Sequence, residues 1–251
     1  MFLYGLTQAG HLEWNIAVYN GTGAGDTGAS KDVAGRLMVH PFADADSSVW
    51  QGLQLGLAGT LGSQDDSVAG AHVRNAARLD VTEYATGARL DGTRSRLGLE
   101  AAWFHGPWMA QAEGLHMTQE MTGSSGGDRV DYSGAYFNLS HVLTGESKDF
   151  GRLRPNRPID PYHGTGRGAW VLAGRVSHMR QGRGLLDRGL VVPETYTESI
   201  TSFSLGLNWV LSQHLMLRNS WIHSEYGDPV DFGADPTERE DTFMMELQLS
   251  F

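Results

Sequence analysis

The 251 residues are 40% hydrophobic, include no cysteine and carry a formal net charge of −10. That acidity argues against a nucleic-acid binder, which needs a basic face, and the lack of cysteine removes disulfides and thiolate metal sites. No apolar run, Ala169–Ala173 among the longest, approaches the roughly 20 residues of a membrane helix, but crossing strands alternate and dilute their hydrophobicity, so a β-barrel stays open.

Taken in chain order, Phe2–Thr7 reads as the end of a strand. In the next segment Leu12, Trp14, Ile16 and Val18 alternate with Glu13, Asn15 and Ala17, the period-two pattern of a strand with one greasy and one polar face. The glycine-rich GTGAGDTG at 21–28 lacks the Lys-Ser/Thr ending and following helix of a phosphate loop, so it reads as a hairpin loop. Val33, Leu37 and Val39 alternate with Ala34, Arg36, Met38 and His40. Leu53, Leu55, Leu57 and Leu61 alternate with Gln54, Gly56, Ala58 and Thr60. Leu97, Leu99, Ala101 and Trp103 alternate with Arg96, Gly98, Glu100 and Ala102. His105-Gly106-Pro107 turns that strand into 108–120, with Trp108, Ala110 and Ala112 opposite Gln111 and Glu113.

Farther on, Trp170, Leu172 and Val176 alternate with Val171, Ala173, Arg175 and Ser177. Phe203, Leu205, Leu207, Trp209 and Leu211 form one arm of a hairpin that turns near Ser212-Gln213. Leu215, Leu217 and Trp221, alternating with Met216, Arg218 and Ser220, form the other. The C-terminal strand has Phe243, Met245, Leu247, Leu249 and Phe251 on one face and Thr242, Met244, Glu246, Gln248 and Ser250 on the other.

About ten strands result, plus the end of another. Short turns are expected near 9–10, 42–50, 105–107 and 212–213. Longer loops are expected near 21–31, 63–94, 121–130, 181–199 and 227–239. Short on one side and long on the other is the pattern of an up-and-down barrel with periplasmic turns and extracellular loops. Counting back from the last strand puts 144–167 on the periplasmic side, long for a turn. The fold class is therefore all-β: an antiparallel up-and-down transmembrane barrel.

The greasy face, with tryptophans near strand ends, is expected to meet lipid. The other face carries Arg36, His40, Arg96, Glu100, Glu113, Arg175, Arg218 and Glu246, the candidate pore-lining residues. Charges of both signs within a sheet need water, which a wide lumen supplies and a dry sandwich core does not. In the 63–94 loop Arg74, Arg78, Arg89 and Arg94 are candidate anion contacts. The alternative is a solvated loop whose arginines pair with Asp65, Asp66, Asp80, Glu83 and Asp91. Arg152, Arg154 and Arg157 read either as an anion exit or as turn residues held by carboxylates. His11, His40, His105, His116 and His141 are scattered without metal-ligand spacing. Glu100 and Glu113 read as lumen solvation rather than a hydrolytic pair, so no catalytic residue, metal or cofactor is expected.

Several segments, in order, resemble the phosphate-selective porin O/P family. They are NIAVYNG with KDVAGRLMVHPF, RLGLEAAWFHGPWMAQAEGLHM, LTGESKDFGRLRPNRPIDP followed by GAWVLAGRVSH, LGLNWVLSQHLMLRNSWIH, and the terminal strand. The resemblance implies a 16-stranded trimeric barrel in the outer membrane, with a lumen lined by arginines and lysines. It also implies a final aromatic, Phe251, that resembles the signal recognised by the barrel assembly machinery. The expected partners are outer-membrane lipid, two further copies in a homotrimer when full length, and small anions such as phosphate. On this reading residues 1–251 are one porin unit, the later part of the barrel. Members of the family are longer than 251 residues, so the barrel's opening strands, leader and principal constriction loop are expected to lie elsewhere; MFLYGLTQAGHLEW has no leader pattern, which fits either a leader already cleaved or a fragment. A complete smaller barrel, an outer-membrane enzyme or adhesin, and a soluble β-sandwich are the alternatives. The enzyme predicts a compact nucleophile–base–acid set, and none is found.

Overall fold

The computed structural model describes residues 1–7, 10–21, 30–46, 48–68, 70–233 and 235–250. The expected turn at 9–10, most of the 21–31 loop with its glycine-rich stretch, and Phe251 lie wholly or partly outside those residues. Within them the chain enters one antiparallel meander through β1 (Phe2–Leu6), β2 (Leu12–Asn20), β3 (Lys31–Val39) and β4 (Gln54–Ser67). A separate hairpin, β5 (His72–Arg74) and β6 (Asp80–Glu83), interrupts it. The meander resumes with β7 (Arg89–His105), β8 (Trp108–Gly123), β9 (Gly126–Val142) and β10 (Ala169–Gln181). After a one-turn helix α1 (Gly184–Asp187), it ends with β11 (Ser199–Val210), β12 (Leu215–Val230) and β13 (Thr237–Leu249). The sheet has eleven strands, each hydrogen-bonded only to its neighbours along the meander. Every pairing is antiparallel, so β1 and β13, the two edges, run in the same direction.

The outward face explains the alternation. Most crossing strands offer about four consecutive outward positions that are apolar or small, then turn polar; on β12 Asn219 interrupts the row between Leu217 and Trp221. On β4 these are Leu55, Leu57, Gly59 and Leu61, followed by Ser63 and Asp65. On β11 they are Trp209, Leu207, Leu205 and Phe203, followed by Thr201. On β13 they are Leu249, Leu247, Met245 and Phe243, followed by Asp241. Four alternate positions cover seven residues, roughly 23 Å of strand, close to the ~25 Å apolar band of a membrane barrel. These residues are exposed, Phe243 by 80% and Leu99 by 61%, as a lipid-facing surface requires. Among the described residues no helix is long and apolar enough to cross a membrane.

The lower end of the belt, where the connections are 7–11, 40–53, 106–107, 143–168 and 211–214, collects tryptophan. Trp14, Trp103, Trp108, Trp170 and Trp209 sit on strand ends there, and Trp50 on the 40–53 connection. Trp170 and Trp209 stack at 5.1 Å with an interplanar angle of 8°. Trp103 and Trp209 donate their indole N–H to the carbonyls of Val49 and Arg167 at 2.7 and 2.8 Å. A ring that is apolar in body with a satisfied polar tip suits a membrane–water boundary.

Three expectations are corrected. Segment 227–239 is not all loop: β12 runs to Val230 and β13 begins at Thr237. Segment 121–130 is not a long loop: β8 runs to Gly123, β9 begins at Gly126, and Ser124 and Ser125 make the turn. Segment 63–94 is mostly strand at its flanks, leaving a connection of 68–88 that contains the β5–β6 hairpin. The turn expected at 105–107 is present: Gly106, at φ 53°, and Pro107 join His105 to Trp108.

The upper connections 68–88 and 182–198 fold together over the charged face. The Thr82 N–H donates to the Thr195 carbonyl at 2.9 Å, Ala85 to Leu190 at 2.9 Å, and Val192 to Glu83 at 2.8 Å. A dry core of Ala88, Met121, Val130, Leu185, Leu190, Val191 and Tyr196 fixes this roof to β8 and β9. Val81 packs with Ile200, Tyr226 and Val230. Asn75 donates to the Tyr226 hydroxyl and to Glu240, both at 2.8 Å. A hairpin rooted between β4 and β7 reaches β12 and β13 only if the sheet curls, so the charged face is the concave one.

Candidate permeation path

The register puts all eight residues read from the sequence on this concave face, but in different states. Arg36 on β3 grips Glu100 on β7 with two bonds, 2.5 and 2.8 Å. His40 lies 3.2 Å from Glu13. Glu113 on β8 stands directly across from Glu100 and has no ion pair among the described residues. Arg96 likewise forms none. Arg218 and Glu246 are cross-strand partners on β12 and β13, yet no ion pair forms between them.

Arg175 on β10 lies with its guanidinium carbon 3.8 Å above the centre of the Tyr136 ring on β9. Cation–π contact of this kind holds a guanidinium in place without neutralising it.

Below Arg175 a cavity of about 600 Å³ opens between β9–β13 and the 143–168 connection. Its cationic lining is Lys148, Arg152, Arg175 and Arg218, and no described lining residue is a carboxylate. Lys148 was not singled out in the sequence. It arrives because the 143–168 segment folds back, its N–H donating to the Gly106 carbonyl at 2.8 Å. Burial holds its ammonium below the usual lysine range; Asp149 pulls upward, and the nearby Arg218 charge adds to the depression. A second cavity, about 360 Å³, shares Arg175 and reaches up to Arg74 and Asn75 under the roof. A third, about 690 Å³, shares Arg152 and adds Arg154, Glu146 and Asp149 at the lower end. The three form a basic track along the concave face, linked by two shared arginines.

The four loop arginines separate. Arg74 lines the upper cavity while bonded to Asp80 at 2.6 Å, which holds that carboxyl below the usual range. Arg78 is exposed at the hairpin tip with φ 66°. Arg89 pairs with Asp65 at 2.8 Å, and the register of β4 and β7 puts both on the outward side. Arg94 is buried: it bonds Asp32 at 2.9 Å and the Gly21 carbonyl, while Gln64 donates to Asp32 at 2.9 Å. Arg152, Arg154 and Arg157 join no ion pair among the described residues. The fold-back is instead anchored by Glu146, which takes the Asn156 N–H at 3.0 Å and the Thr144 hydroxyl.

A curled antiparallel meander, greasy and tryptophan-rimmed outside and charged inside, is the wall of an outer-membrane-type β-barrel. The family model described as phosphate-selective porin O and P matches residues 5–251, and the chain belongs to that family. Proteins of this family reside in the outer membrane and are not enzymes. The chain is 26% identical to Porin O of Pseudomonas aeruginosa over 167 residues, covering 61% of this chain and 34% of that protein. It is 33% identical over 117 residues to an uncharacterized protein of Caulobacter vibrioides, covering 43% of this chain and 22% of that protein. The matches thus span about a fifth to a third of the relatives' lengths.

Proposed function

We propose that this sheet forms part of the wall of a porin through which small hydrophilic solutes diffuse, with anions favoured. The observation that carries the preference is the 600 Å³ cavity with four cationic side chains and no carboxylate among its described lining. Diffusion past such a lining needs no cofactor and no conformational cycle. The net charge of −10 does not oppose it, because selectivity follows the charges a solute passes rather than the total.

Residues 1–251 are one unit of this barrel rather than the whole of it. The parity of the sheet supports that reading: with eleven strands, β1 and β13 run the same way, so closing them on each other would need a parallel seam. An odd number of further strands restores antiparallel closure, and five would give the sixteen the resemblance implies. The lower end faces the periplasm, the outward face meets lipid, and the full-length protein is a trimer inserted by the barrel assembly machinery. Phosphate is the proposed anion, on the family's description alone.

The test is the reversal potential of the full-length porin in a planar bilayer under a potassium chloride gradient. An anion-preferring sign is expected, with the permeability ratio falling roughly two- to fivefold in the double variant Arg175→Ala, Arg218→Ala. A cation-preferring sign in the unaltered protein refutes the preference.

A further inference from the structure

The concave face also carries free negative charge, and its placement next to the basic track is specific. Glu113 is exposed and has no ion pair among the described residues. Its cross-strand partner on β9 is Tyr136, whose ring lies under Arg175. Glu113 and Arg175 form no ion pair with each other. They flank one tyrosine instead: Glu113 is the cross-strand neighbour of Tyr136 from β8, and Arg175, from β10 on the other side, lies on its ring face. On one side Glu113 continues into Glu100, which Arg36 holds by two bonds. On the other Arg175 continues into the cavity with Lys148 and Arg218. The charges beside Tyr136 are therefore divided laterally, Glu113 on β8 and Glu100 on β7 to one side, Arg175 on β10 with the cavity's Arg218 and Lys148 to the other; Arg96 on β7 and Glu246 on β13 depart from this division.

We infer that this boundary is a subsite for solutes bearing an ammonium and a carboxylate close together, such as small amino acids. The ammonium lies toward Glu113 and the carboxylate toward Arg175. A lone anion engages only the basic side; a zwitterion aligns across the boundary and meets both partners at once. This inference rests on the porin reading and narrows the solute class beyond anions.

The experiment is swelling of liposomes containing the full-length porin, with glycine and its uncharged isomer glycolamide as probes of equal size. Glycine is expected to enter faster. Glu113→Gln is expected to lower the glycine-to-glycolamide ratio about two- to fivefold, the range of one exposed ion pair. Arg175→Gln is a second variant with the same expected drop, and raising the salt should shrink the ratio in the unaltered protein. Heat-modifiable migration confirms that each variant is folded. A ratio of one or less in the unaltered protein, or a ratio indifferent to both substitutions, overturns the inference and leaves the anion preference to its own test. Failure of glycolamide itself to enter refutes the porin reading and this inference with it.

Discussion

Replacing Arg94 by methionine strikes the most deeply buried ion pair on the concave face. The side chains of Arg94 and Asp32 are 9% and 1% exposed, with Nη2 to Oδ2 at 2.9 Å. At an effective dielectric of about 20, that separation corresponds to about 6 kcal/mol of attraction, much of it offset by the desolvation of both ions. Methionine fills most of the volume but leaves Asp32 with the Gln64 amide as its remaining side-chain donor among the described residues. An uncompensated buried carboxylate costs about 3–5 kcal/mol. Arg94→Met should therefore lower unfolding stability by that amount. Asp32→Asn in the same chain should recover more than half, since the charge is then gone. The assay is reversible denaturant unfolding of the full-length barrel in detergent, run as a double-mutant cycle. If Arg94→Met lies within 1 kcal/mol of the unaltered protein, or the second substitution adds to the loss, the pair does not anchor β3 to β7 as argued.

Two other sites give equally direct tests. His11 offers one ring nitrogen to Asp44 at 2.7 Å and the other to the His40 carbonyl at 3.0 Å, an arrangement that fits the doubly protonated ring. The Asp44 bond, then the carbonyl, raises the His11 pKa above its usual 6.5. A raised folded-state value means the clamp is fully present below pH 6.5 and is lost as pH rises through that higher value. Amide exchange of residues 40–46 should accelerate across that window, and His11→Phe should abolish the step. In the roof, the Gln181 amide donates to the Thr82 hydroxyl and the Thr197 carbonyl, both at 2.8 Å, and Thr82 sits at φ 51°, rare for a β-branched residue. Gln181→Leu should weaken this junction by about 1–3 kcal/mol. It should raise single-channel noise and speed proteolysis within 68–88; unchanged noise and cleavage would show that the roof is held elsewhere.

The strands were legible where the belt is. Between the tryptophan rim and the first outward polar residue, water lies on one side and acyl chains on the other, so the sequence alternates. Above it the code lapses. Ser63 and Asp65 on β4, or Asp91 and Thr93 on β7, have no lipid to face, and the strand extensions read as loop. β9 escaped notice because its outward face holds only Phe137 and Leu139 as large apolar groups, while Tyr132 and Tyr136 face inward. The charged face was readable as a face, yet its pairing was not: nothing in spacing links Arg36 to Glu100, 64 positions apart, or leaves Arg175 on a tyrosine ring. Lys148 gave no periodic signal, since the fold-back that positions it is governed by carbonyl and carboxylate contacts such as those of Gly106 and Glu146.

The tryptophans gathered at one end of the belt also give the wall a waterline. Sinking it would draw the polar 40–53 and 143–168 connections toward acyl chains, and raising it would wet the stacked rings of Trp170 and Trp209. A thinner or thicker bilayer is therefore accommodated at the opposite end, where Ser63, Thr201 and Asp241 follow the apolar positions.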